Sequence, residues 1–139
     1  MDIRSHFKAR ALSVRLGLAI VVVLMALGGV WAAMSISVTA QSGVPLPCHS
    51  YWRVDMQGKE WPVTIQYTAR PANGSVHTQV TLQPKMLRNG TSKTVHVAQV
   101  VYQSKKGFIG QDSFTYRRIS GDPTDPDNNK EYTIAVTVR

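Results

Sequence analysis

The chain has 139 residues, with 16 Lys and Arg against 8 Asp and Glu, a formal net charge of +8 and one cysteine. That length leaves room for one small domain beyond a leader, and a lone cysteine excludes an internal disulfide scaffold. The positive residues are scattered rather than gathered into a patch, which argues against nucleic acid as a partner.

Arg4, Lys8, Arg10 and Arg15 form a basic leader, and Leu16–Met34 follows without a charge. Val38-Thr39-Ala40 then presents small residues at the two positions a signal peptidase reads. Residues 1–40 therefore read as a signal peptide, with Gln41 as the first mature residue. The same apolar run is long enough to span a bilayer, so an uncleaved signal anchor is the alternative. The basic residues precede the run, and both readings export the rest of the chain. It is then periplasmic or extracellular, or anchored in the inner membrane with the domain facing outward. Contact with the membrane is expected only through this N-terminal segment. Gln41–Arg139 carries 12 Lys and Arg and 7 Asp and Glu, a net charge of +5. Such a charge suits solubility and weak attraction to anionic envelope polymers.

Residues 41–50 read as a flexible lead-in, because Gly43, Pro45 and Pro47 break regular pairing. Cys48 can join a partner or a second copy through an intermolecular disulfide, giving a disulfide-linked homodimer, or remain a free thiol. From Tyr51 onward the pattern is that of strands, and 51–139 is the expected domain. Trp52, beside Arg53, has no inward register and is the candidate exposed contact aromatic. Trp61, Val63, Ile65 and Tyr67 share one parity, which places all four in the core. Pro71–Gly74 then supplies an Asn-Gly hairpin signal. Val76, Thr78, Val80 and Leu82 alternate with polar residues, and Arg88-Asn89-Gly90 marks the next turn. Val95 and Val97 have one parity, Val100 and Tyr102 the other. A bulge near Ala98–Gln99, or a strand buried on both faces, accounts for the change. His77 and His96 fall at outward positions of separate strands, as cross-strand neighbours. Tyr132, Ile134, Val136 and Val138 complete the alternation.

Val100–Tyr116 (VVYQSKKGFIGQDSFTY) is the most informative stretch. Gly107 and Gly110 bracket Phe108–Ile109 at a connection that calls for positive φ. Asp112 follows, and Phe114 and Tyr116 share one face by the period of two. This G-x-x-G-x-D-x-F-x-Y stretch resembles that of bacterial immunoglobulin-like and cadherin-like surface modules, here in single copy. Arg70–Val76 and Tyr132–Val138 extend the resemblance. About six or seven strands with no helical period then imply an all-β, antiparallel immunoglobulin-like β-sandwich.

The resemblance implies a binding or structural module of the cell envelope, in adhesion or scaffolding, with a protein or an envelope polysaccharide as partner. The alternative is a small periplasmic ligand-binding or inhibitor protein that meets acidic partners. No activated-nucleophile or acid–base motif is present, so the expectation is a non-enzyme. Asp122, Asp125 and Asp127 form the one oxygen-rich cluster. Carboxylates are what calcium selects, and these three are the metal candidates; a solvated acidic loop is the competing account. Asp112 is expected to accept backbone N–H bonds in its own turn.

Overall fold

A computed structural model describes residues 34–139; the basic leader and most of the apolar run lie outside the described residues. The strands are β1 (Met34–Ala40), β2 (Leu46–Tyr51), β3 (Arg53–Val54), β4 (Glu60–Trp61), β5 (Val63–Ala69), β6 (Gly74–Met86), β7 (Ser92–Ser104), β8 (Gly110–Ser120) and β9 (Glu131–Val138). One sheet has the order β1-β9-β8-β5, a second β2-β7-β6, and β3-β4 forms a short ribbon. Inward residues of both main sheets, among them Ile65, Val76, Val100, Phe114 and Ile134, pack into one core, so the described chain is an all-β sandwich.

The folded unit begins earlier than the sequence suggests. β1 occupies the end of the segment read as a leader, and β2 occupies much of the supposed lead-in. Gly43, Pro45 and Pro47 do not prevent β2 from pairing with β7; they leave it irregular, with a register shift between Pro47 and His49. Nor is the sandwich wholly antiparallel, since β1 runs parallel to β9 from Met34↔Tyr132 to Ala40↔Val138. No crossover helix is required, because most of the domain separates the two strands in sequence.

The Asn73-Gly74 signal is not a hairpin. β5 and β6 belong to different sheets, and Pro71–Asn73 carries the chain from one to the other. Gly74 is needed there for space: a Cβ would lie 2.6 Å from the Gln103 carbonyl and 2.8 Å from the Tyr102 ring. The β6–β7 ladder runs unbroken from Gly74↔Ser104 to Met86↔Ser92, so no bulge interrupts it at Ala98–Gln99. Instead β7 is buried on both faces at Val100 and Val101. Gly107 and Gly110 do take positive φ, of 86° and 140°.

Tyrosines join the sheets. The Tyr51 (β2) and Tyr116 (β8) hydroxyls are 2.6 Å apart, and those of Tyr67 (β5) and Thr78 (β6) 3.0 Å. The Tyr102 (β7) hydroxyl donates to Asp112 (β8) at 2.8 Å. Each bond runs from one main sheet to the other. Tyr102 also stacks on Phe114, with centroids 5.9 Å apart and planes at 3°. Asp112 accepts from the N–H groups of Ala72 and Asn73 at 3.1 Å and of Ser113 at 2.9 Å. It therefore fastens the sheet-crossing turn as well as a step of its own strand.

Replacing Asp112 by Ala strands the buried Tyr102 hydroxyl and two turn donors, at an expected cost of about 1–3 kcal/mol. Urea unfolding measures it, and adding Tyr102→Phe is expected to recover part of the loss.

Candidate interaction surface

β6 and β7 are each 13 residues long, whereas β5 opposite has 7. Their hairpin outruns the sheet that faces it. The core-facing parity of β6 therefore passes from buried Val76 through half-buried Thr78 to Val80 and Leu82, which are 61% and 64% exposed. Val80, His96 and Ala98 form one wall of a groove of about 410 Å³, and Trp61, Pro62 and Val63 form the other. On the other face of β7, Val95 and Val97 are fully buried.

The ribbon and Trp52 reach the same hairpin. Lys93 Nζ donates to the Gly58 carbonyl at 2.6 Å, and Lys85 Nζ lies 4.4 Å over the Trp52 ring. Glu60 accepts from the His96 backbone N–H at 2.6 Å and lies 2.9 Å from His96 Nδ1. The backbone bond and the imidazole hold its carboxyl below the usual range. Thus the β7 edge left open beyond β2 is capped by a side chain. Trp52 is 40% exposed, Met86 72% and Met56 89%. Met56, Leu87 and Arg88 line a second groove of about 550 Å³ with Thr124 and Pro126. One end of the sandwich thus gathers exposed thioether, aliphatic and indole surface, with Lys59, Lys85 and Arg88 around it.

Trp61 is not in the core. It is half-buried in β4, with its indole N–H on Asp55 Oδ2 at 2.8 Å and Lys59 Nζ 3.7 Å over its ring. The histidines do not meet either: His77 lies opposite Val101, and His96 opposite Leu82.

The three acids of the Gly121–Lys130 loop are not gathered at a point. Asp122 Oδ2 accepts from Arg53 Nε at 2.6 Å, while its Oδ1 takes the Thr124 N–H and hydroxyl at 2.8 and 2.7 Å. Asp125 Oδ1 accepts from the Asp127 N–H, and its Oδ2 stands 2.7 Å from Arg118 Nη1. Asp127 pairs with Lys130. Among the described residues, no three His, Cys, Asp or Glu side chains are grouped to hold a metal ion. Arg118 is buried beneath this loop. The signal was available, since Arg118 shares the inward parity of Phe114 and Tyr116. Burial raises the Asp122 and Asp125 carboxyls, but it is outweighed. The Thr124 bonds and Arg53 hold Asp122 below the ordinary value, and the Asp127 N–H and Arg118 do the same for Asp125.

Cys48 sits at the β2 irregularity, half-buried against the core, with Sγ 3.5 Å from the Leu46 carbonyl. Burial pushes its thiol up to about 11. Next to it, the His49 ring packs on Tyr51 at 4.6 Å, and burial lowers the imidazole.

No family model matches the chain, and no curated protein matches it. Solved structures give distant likenesses. A cysteine protease inhibitor from Entamoeba histolytica is 9% identical with a TM-score of 0.39, over 77% of this chain and 93% of the inhibitor. An endo-fucoidan hydrolase of glycoside hydrolase family 107 is 16% identical with a TM-score of 0.34, over 78% of this chain and 13% of the hydrolase. The present chain thus spans a small part of that enzyme's length. The sandwich assignment rests on the strand pairing and the shared core.

Two outcomes follow from the buried groups. The depressed Asp122 and Asp125 stabilise the fold above the unfolded carboxylate value, about pH 4, and that contribution is lost as pH falls through their folded values. Thermal midpoints are expected to ease down as pH falls below about 6.5, where the unfolded chain takes up the proton that buried His49 resists, and to drop further below about pH 4, with Asp122→Asn, which cannot titrate, flattening part of the lower fall. For Cys48, a rise from 9.0 to about 11 lowers the thiolate share about 100-fold, and alkylation of the folded protein at pH 8 is expected to be slower than that of the unfolded chain by about that factor.

Proposed function

We propose that this is an exported, non-enzymatic binding module of immunoglobulin-like type, in an adhesion or scaffolding role at the cell envelope. Its contact surface is the overhanging hairpin end with Trp52, Met56, Val80, Leu82 and Met86. The observation that carries the reading is exposed apolar surface concentrated where the β6–β7 hairpin outruns its facing sheet. Patches of that kind mark interaction sites more often than scattered apolar residues do. Trp and Met are also residue types enriched at interfaces. The acids Asp112, Asp122 and Asp125 are committed to internal partners, which leaves them to structural work.

The partner that fits is a protein surface with apolar side chains for the two grooves and acidic groups for Lys59, Lys85 and Arg88. Lys85 serves both parts, since it already lies over the Trp52 ring. A small periplasmic ligand-binding or inhibitor protein would use the same basic fringe but depend on it more heavily. Raising the ionic strength should then weaken binding steeply, because exposed charges are screened within about 10 Å at 0.1 M salt.

A photo-crosslinking residue at Leu82 of the full chain, in the cell that makes it, is expected to capture one discrete protein. The adduct should disappear with Trp52→Ala and Met86→Ser, and a crosslinker at Gln111 should give none. Equal capture from Leu82 and Gln111, or an adduct indifferent to both substitutions, would sink the reading. Loss of the adduct on adding salt alone would favour the second one.

A further inference from the structure

We infer that the exported protein keeps residues Met34–Ala40, and that the Ala40–Gln41 bond is not a processing site. β1 is an integral strand of the sandwich. All seven of its residues pair with β9. Ile36 and Val38 pack against the common core, and Ala40 is 2% exposed. Ser35, Ser37 and Thr39 are exposed between them, so the segment has the alternation of a half-buried strand. Val38 and Ala40, the small residues that mimic a peptidase site, are the inward residues of that strand. Edge packing therefore accounts for their size.

Hydrogen bonds hold the chain on both sides of the bond. Arg139 N–H donates to the Ala40 carbonyl at 2.9 Å, and Ser42 N–H donates to the Arg139 carbonyl at 2.9 Å. Gly43 N–H reaches Ser104 Oγ at 2.8 Å, and Gly107 N–H reaches Ser42 Oγ at 2.9 Å. Cutting there would discard an edge strand and leave the outer edge of β9 unpaired. Such an edge, backed by Ile134, Val136 and Val138, is a template for aggregation. Any removal of a leader must then fall upstream of Met34. If none occurs, the domain stays joined, through a strand hydrogen-bonded into its sheet, to everything that precedes it. This inference rests on the export proposed above but not on the proposed contact surface.

The test is the intact mass of the protein recovered after the full chain is expressed in an exporting host. The expected product begins at or before Met34. A product beginning anywhere from Ser35 to Gln41 overturns the inference. Val38→Asp in the full chain gives a second readout on the same recovered material. A retained strand predicts a fall in its thermal midpoint, because a carboxylate then faces the core. A midpoint unchanged from that of the parent protein means the segment is dispensable, and also overturns it.

Discussion

The sandwich depends on tyrosine hydroxyls that have to be satisfied where water is excluded. Tyr51, Tyr67, Tyr102 and Tyr116 bring large rings between the sheets, and a buried hydroxyl without a partner is costly. Each hydroxyl is met by a group on the opposite sheet: Tyr51 and Tyr116 by one another, Tyr67 by Thr78, Tyr102 by Asp112. The rings supply the apolar area, while the hydroxyls fix how the sheets sit face to face. Sliding one sheet along the other would break several of these bonds together. Asp112 couples the arrangement to the turn at Ala72–Asn73, so that turn and core are fixed jointly.

At one end of the aromatic strip the inward parity of β8 continues into Arg118, and a cation there needs compensation. Asp125 supplies it at 2.7 Å, with Arg53 and Asp122 forming a second pair alongside. The Gly121–Lys130 loop is consequently a lid of ion pairs and side-chain-capped turns. Asn129, with φ of 62°, takes the left-handed conformation that Asn tolerates. Breaking one partner of a buried pair costs more than the pair is worth, since the other charge stays behind. Of the three acids that look like metal ligands in the sequence, Asp122 and Asp125 pair with arginines and Asp127 pairs with Lys130.

The parts of this that the sequence reveals are those with a local signature. Alternation locates β5 to β9, and glycines mark the β7–β8 connection with the required positive φ. Phe114 and Tyr116 follow from parity. What cannot be read locally is pairing across long separations: Tyr51 with Tyr116, Arg53 with Asp122, Tyr102 with Gly74. The Asn-Gly pair misleads because glycine answers two different needs, positive φ and close approach, and one dipeptide does not say which. Trp61 misleads because its parity matches that of β5 while the residue belongs to the separate β3–β4 ribbon, across a groove from Val80 and His96. The overhang of the β6–β7 hairpin beyond β5 exposes Val80 and Leu82. Alternation gives the side a residue faces, and only the lengths of the opposing strands decide whether anything is there.

Met34–Ala40 is the sharpest case, because one pattern serves two kinds of recognition. A peptidase selects small residues two apart in an extended chain, and a sheet edge seats small inward residues two apart in a strand. The downstream sequence separates these readings only once β9 is known to need an outer partner.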